Sequence, residues 1–162
     1  MTYRLFFFIT LLAISMTTVW SIAGQSHQQP YDPSRDPFAD FTAAQAKAQA
    51  ENKLILIQIG GNWCSWCHKL DRFFTHEEAI KSLLTDTFIT MKVNVSAEND
   101  NAAFINEMPE FEGYPFLVIT DAHGQILNSR TSGALESGNG YSVDLFTEYF
   151  TYWKNRPTDT EF

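Results

Sequence analysis

Two cysteines in 162 residues are too few for a disulfide scaffold, since a small secreted domain stapled by cystines shows several well-separated pairs. Positive charge is scarce as well: 11 Lys and Arg stand against 19 Asp and Glu, a formal net charge of -8. No basic surface is available to neutralise phosphates, which excludes nucleic acid as a partner class. No internal repeat is visible, and no Cys follows the apolar N-terminal run, which argues against a lipid-modified N-terminus. The last residues, Asp159-Thr160-Glu161-Phe162, do not form an endoplasmic-reticulum retention signal. What the chain does have is 44% hydrophobic and 15% aromatic residues, enough to build the core of one ordinary domain.

The chain opens with a single cation, Arg4, and an uncharged apolar run from Leu5 to Val19, followed by Ser21-Ile22-Ala23. A basic start, an apolar stretch and a small-x-small site predict a signal peptide over residues 1–23 and an exported, periplasmic domain. The alternative is an uncleaved anchor, the only form in which the chain would contact a membrane, because the run extended to Ala23 barely reaches spanning length. Residues 24–36 are polar, with Pro30 and Pro33, and read as a tether. The globular domain is then expected over 37–157, with 158–162 as a tail.

Asp36-Pro37 offers an N-cap with proline at the first helical position, and Phe38 to Glu51 holds no breaker, so a helix follows. Leu54-Ile55-Leu56-Ile57-Gln58-Ile59 reads as a strand buried on both faces. After Gly60-Gly61-Asn62, the apolar positions Cys67, Leu70, Phe73 and Phe74 recur at helical spacing, and Thr75 with Glu78 suggests a capping box for a second helix through Leu84. Phe88 to Val95 reads as a strand, Asn99 to Met108 as a short helix, and Gly113 to Thr120 as a strand entered through Pro115. The turn Asp121-Ala122-His123-Gly124 leads into Gln125 to Arg130 as a hairpin. Ser142 caps a last helix with Leu145, Phe146, Tyr149, Phe150 and Trp153 on one face. This order predicts an α/β sandwich, a mixed central sheet flanked by helices.

Both cysteines lie in Trp63-Cys64-Ser65-Trp66-Cys67-His68, at the junction from buried strand to helix. There the unpaired N–H groups and the positive end of the dipole favour a thiolate on the first cysteine. They bring its pKa from about 8.5 into the range of roughly 3.5 to 7.5. Cys64 is therefore the candidate nucleophile and Cys67, one turn deeper, the resolving thiol of a disulfide exchange that requires no cofactor or metal. Trp63 is expected to pack and Trp66 to be exposed near the sulfurs. His27, His76 and His123 are read as solvated, and His68 as a surface residue after the motif.

The chain resembles the thioredoxin superfamily, and within it the small exported domains carrying Trp-Cys-x-x-Cys-His, over roughly Lys53 to Asn155. Three features match in order: the buried strand leading to Trp63-Cys64-Ser65-Trp66-Cys67, the strand Lys92-Val93-Asn94-Val95, and Gly113-Tyr114-Pro115 before a hydrophobic strand. The resemblance implies a thiol-disulfide oxidoreductase that acts on protein thiols and disulfides and works with a redox partner protein. It also implies a cis bond before Pro115, which would pack beside the cysteines, with the Tyr114 backbone pairing to a substrate strand. Two departures stand out. Thioredoxins carry an acidic residue where this chain has Gln58, and Ser65-Trp66 replaces Gly-Pro. Lys92 matches the lysine that pairs with that acid, so it is left without its partner and reads as a surface lysine on a strand edge.

Three other readings fit parts of the motif. Cys64-Ser65-Trp66-Cys67-His68 matches the attachment sequence of c-type haem, with Met91 or Met108 as axial ligand, although a buried strand before the motif does not suit it. A metal carrier would use Cys64, Cys67 and His68, but adjacent Cys67 and His68 point about 100 degrees apart on a helix. A client-binding protein without turnover would use Gly60-Gly61 and the aromatics Trp63, Trp66 and Tyr114 as its surface, and would not need an intact cysteine pair.

Overall fold

The computed structural model describes residues 29–156. The proposed signal peptide, its cut site, His27 and the tail from residue 158 lie outside the described residues. Helix α1 (Pro37–Glu51) begins as expected: the Asp36 side chain accepts from the Phe38 N–H at 2.9 Å and Pro37 occupies the first turn. It stops at Asn52, which takes a left-handed φ of 53°, a conformation Asn tolerates better than most side chains. Asp36→Ala should cost about 1 kcal/mol in denaturant unfolding, and Asp36→Asn much less, because Asn caps nearly as well.

Strand β1 (Leu54–Gly60) is buried at every position. It pairs in parallel with β2 (Phe88–Asn94) and antiparallel with β3 (Phe116–Thr120), which pairs antiparallel with β4 (Ile126–Thr131). The sheet order is β2-β1-β3-β4, so the expected mixed sheet is present. The parallel pair needs a crossover connection, which α2 (Ser65–His76) and α3 (Glu78–Thr87) supply between β1 and β2. Alternation along β1 divides the core in two. Leu54 and Leu56 join Leu70, Phe74, Ile80, Leu84, Phe146 and Phe150 under α2, α3 and α5 (Val143–Lys154). Ile55, Ile57 and Ile59 pack with Ala44, Ala48 and Phe104 under α1 and the short α4 (Ala102–Ile105).

Several local expectations need correction. Thr75 forms no capping box: its hydroxyl donates to the Asp71 and Arg72 carbonyls inside α2, and Glu77 caps α3 without a side-chain bond. The helix expected over 99–108 shrinks to one turn because Asn101 has φ 50° and cannot extend it backwards. In α5, Phe146, Phe150 and Trp153 are buried, whereas Leu145 faces outward at 39% exposure. A small hairpin that the sequence reading missed, β5 (Glu136–Ser137) with β6 (Gly140–Tyr141), turns at Gly138, whose φ is +58°.

The polar segment read as a tether is also corrected. Tyr31 within it is anchored to the domain at 2% exposure, whereas Asp32 and Ser34 to Asp36 are exposed. The Tyr31 N–H donates to Asn62 Oδ1 at 3.1 Å, Asn62 Nδ2 donates back to the Tyr31 carbonyl at 2.5 Å, and Asn99 Nδ2 donates to the Pro33 carbonyl at 2.9 Å. The packed domain therefore starts before Pro37.

Candidate active site

Cys64 is the N-cap of α2, in an extended conformation, and its sulfur accepts the Cys67 N–H at 3.1 Å. One of the orphan donors of the helix terminus thus points at Cys64 Sγ, where it stabilises negative charge on that sulfur. Cys64 and Cys67 are joined by a disulfide with their Cα atoms 5.2 Å apart. Cys64 is 6% exposed and Cys67 1%, so the first sulfur is the outer one.

Both sulfurs sit in a cluster with Tyr31, against which Trp66 and Tyr114 pack. The peptide bond Tyr114-Pro115 is cis, and Pro115 is buried at the start of β3. The expected roles of the two tryptophans are reversed. Trp63 is 61% exposed, with its indole N–H donating to the Val95 carbonyl at 2.6 Å and its ring edge-on to Tyr114 at 5.3 Å. Trp66 is half-buried, edge-on to Tyr141 at 5.4 Å, with Lys69 Nζ 3.8 Å above its ring. Trp63 precedes the helix and projects from the loop, whereas Trp66 lies in its first turn and turns toward the β5–β6 hairpin.

Gln58 and Gly60 share the face of β1 that looks toward α2. Gln58 is buried at 3% exposure and stands beside Lys92 in the register of β1 and β2. Lys92 is not a lone surface lysine. It forms an ion pair with Asp71 of α2, both side chains being about 30% exposed at 31% and 30%. The acid that the sequence lacks on the strand is therefore present on the helix, one turn beyond Cys67. Gln58, Asp71 and Lys92 line a cleft of about 410 Å³ together with Phe74, Leu84 and Phe88.

Residues beyond the motif cysteines and tryptophans complete the surroundings. Gly60 makes room for Cys67: a Cβ added there would lie 2.5 Å from Cys67 Sγ and 3.0 Å from the Tyr31 hydroxyl. Asn62 clamps the Tyr31 backbone, and His68 Nε2 donates to the Asn62 carbonyl at 2.8 Å, so His68 holds the loop instead of standing free in solvent. Tyr141 donates to the Trp66 carbonyl at 3.3 Å and pairs with Ser132 Oγ at 2.9 Å; burial raises its phenol to about 12. Burial also pushes the Tyr31 phenol well above its ordinary value, with the Asp71 charge and Tyr141 adding to the effect. Asp71 had a sequence signal, since a residue seven after Cys64 and four after Cys67 shares their helix face. His76 and His123 are exposed, as expected.

The haem and metal readings fail on packing. Cys67 Sγ is enclosed by Gly60 and Tyr31, leaving no room for a thioether to a macrocycle. Met91 and Met108 belong to the cluster beneath α1, on the opposite face of the sheet. His68 is turned to Asn62, and among the described residues no three His, Cys, Asp or Glu side chains come together to hold a metal ion.

The thioredoxin-like family profile matches residues 36–122, more than half of the chain. This chain belongs to the thioredoxin-like family. Among curated relatives, the thiol:disulfide interchange protein DsbD of Salmonella typhi is 26% identical over 129 residues, 72% of this chain and 22% of the relative. The chain thus spans about a fifth of the length of that relative. Two solved structures show the same fold. The disulphide isomerase from Xylella fastidiosa Temecula1 superposes with a TM-score of 0.68 at 22% identity, covering 78% of this chain and 98% of that one. The oxidised C-terminal domain of DsbD from Neisseria meningitidis gives 0.51 at 17% identity, covering 73% of this chain and 96% of that domain. The thioredoxin-like motif in this chain is the pair Cys64 and Cys67, with Trp63 before it and cis Pro115 at the start of β3.

Proposed function

We propose that this chain is an exported thiol-disulfide oxidoreductase in which the Cys64 thiolate attacks a client disulfide, or a client thiolate attacks Cys64 of the Cys64–Cys67 disulfide, and Cys67 resolves or leaves from the mixed disulfide. The observation that carries the reading is the Cys64 sulfur at the N-cap of α2, receiving the Cys67 N–H at 3.1 Å while Cys67 lies deeper. That arrangement favours the thiolate on the outer sulfur and keeps the inner one in reserve. The likeness to the Salmonella thiol:disulfide interchange protein supports the same chemistry. Export rests on the basic and apolar pattern of residues 1–23, and the partners are protein thiols and disulfides together with a redox protein that recharges the pair. Exposed Trp63, edge-on to half-buried Tyr114, offers an apolar rim for an extended client segment.

Reduced protein given limiting alkylating reagent near neutral pH should be labelled at Cys64 roughly tenfold faster than at Cys67, read by peptide mass mapping. Equilibration with glutathione should interconvert one Cys64–Cys67 disulfide and two thiols. Faster labelling of Cys67 would reverse the roles, and the absence of exchange with glutathione would remove the activity.

A further inference from the structure

The reading of Cys67 as the resolving thiol leaves open what stabilises its thiolate. In the thioredoxin pattern an acid stands on the strand beneath the cysteines, and here that position is Gln58. The helix terminus serves the other sulfur, since the Cys67 N–H donates to Cys64. Cys67 itself is 1% exposed and so has little water to solvate a negative charge.

One hydroxyl from outside the motif borders this buried sulfur. The Tyr31 hydroxyl and Cys67 Sγ border the same space, the one that Gly60 leaves by having no side chain: the missing Cβ would be 3.0 Å from the first and 2.5 Å from the second. The tyrosine is held there by its backbone, through the two hydrogen bonds with Asn62, itself fixed by His68. Its ring lies 5.9 Å from Lys92 Nζ, which is paired with Asp71.

We propose that the Tyr31 hydroxyl is a hydrogen-bond donor to the Cys67 thiolate, a stabilisation supplied by the N-terminal segment. In resolution, Cys67 first releases its proton to water. Its sulfur then attacks Cys64 Sγ, the Cys64–Cys67 bond forms as the bond from Cys64 to the client breaks, and the client sulfur leaves with the electron pair and takes a proton from solvent. In the reverse direction Cys67 is the leaving thiolate. Tyr31 keeps its proton throughout and acts by donating to the charged sulfur. Burial and the Asp71 charge hold the phenol in its protonated form across the working pH range, so the donor is always present. The titratable groups facing this pair are Asp71 and His68 from α2, Lys92 from β2, Tyr141 from β6, and Tyr114 before β3.

The test isolates the sulfur. In a Cys64→Ser background, thiolate ultraviolet absorbance reports Cys67 alone. Adding Tyr31→Phe, which keeps the ring, should raise the Cys67 pKa by about one unit, a roughly tenfold smaller thiolate fraction at a given pH. The same substitution in a Cys67→Ser background should leave the Cys64 titration nearly unchanged. An unmoved Cys67 titration, or an equal shift of both cysteines, overturns the proposal, the latter because it marks a general packing effect. If Tyr31→Phe does not fold, 3-fluorotyrosine at position 31 decides the matter: a more acidic phenol donates more strongly and should lower the Cys67 pKa, and no shift overturns the proposal. The titration requires no turnover, so its failure is separate from a failure of exchange with glutathione.

Discussion

Cys67→Ser should accumulate mixed disulfides between Cys64 and protein clients, visible as reducible high-mass species on non-reducing gels, whereas Cys64→Ser should accumulate very few. The trap requires attack without resolution. In the native pair the resolving sulfur is tethered one helical turn from the sulfur it attacks, with Cα atoms 5.2 Å apart. A well-oriented intramolecular partner acts at an effective molarity on the order of 10⁵ M or more. Against millimolar free thiol, its loss should lengthen the lifetime of the mixed disulfide by at least roughly a thousandfold. The asymmetry follows from position: Cys64 has the helix terminus and the outer place, and Cys67 is 1% exposed and covered by Tyr31 and Gly60. Equal trapping by the two variants would mean that either thiol reaches clients, and the helix-terminus argument would then not set the roles.

The parts of this site that the sequence displays are those decided within a few residues. Asp36-Pro37 and Ser142 start helices because their side chains reach N–H groups two or three residues ahead. The unbroken run through β1 marks a strand covered on both faces, and the two cysteines fall where that strand hands over to α2. What remained hidden depends on residues far apart in the chain. Tyr31 is a single aromatic in a polar stretch, with no periodicity to mark it, and its burial follows from a space that Gly60 leaves 29 positions later. Lys92 finds Asp71 across 21 residues, a pairing that no local pattern encodes. Thr75 looked like a cap because the Thr-x-x-Glu spacing was right, but its hydroxyl is satisfied by carbonyls of the preceding turn, so α2 continues to His76. For the tryptophans the deciding contacts are also distant in sequence: Trp63 donates to the Val95 carbonyl and Trp66 packs edge-on against Tyr141.

Gln58→Asp should restore the strand carboxylate and expose what its loss has changed. The side chain at 58 is 3% exposed, on the same strand face as Gly60, and lines the cleft with Asp71 and Lys92. A carboxylate placed there is desolvated and lies near the Asp71 charge, both of which raise its pKa above the ordinary value of about 3.9; Lys92 opposes this but is already engaged by Asp71. A folded-state pKa above the unfolded one gives the variant its best relative stability at low pH. The deficit against the native protein grows as pH rises from the unfolded aspartate value through the folded one and is constant above it. Unfolding by denaturant should therefore show a gap of roughly 1 to 3 kcal/mol near pH 8 that narrows toward pH 4. In the Cys64→Ser background, the Cys67 thiolate should titrate in one step with Gln58 and in a broadened, upward-shifted curve with the new acid, because two neighbouring groups that both become negative couple their protons. The two readouts fail differently. A pH-independent gap with an altered Cys67 curve would mean that Lys92 leaves Asp71 to neutralise the new carboxylate. An unaltered Cys67 curve would place position 58 out of electrical reach of the sulfur, and the relocation of the acid from β1 to Asp71 would then have no bearing on the dithiol.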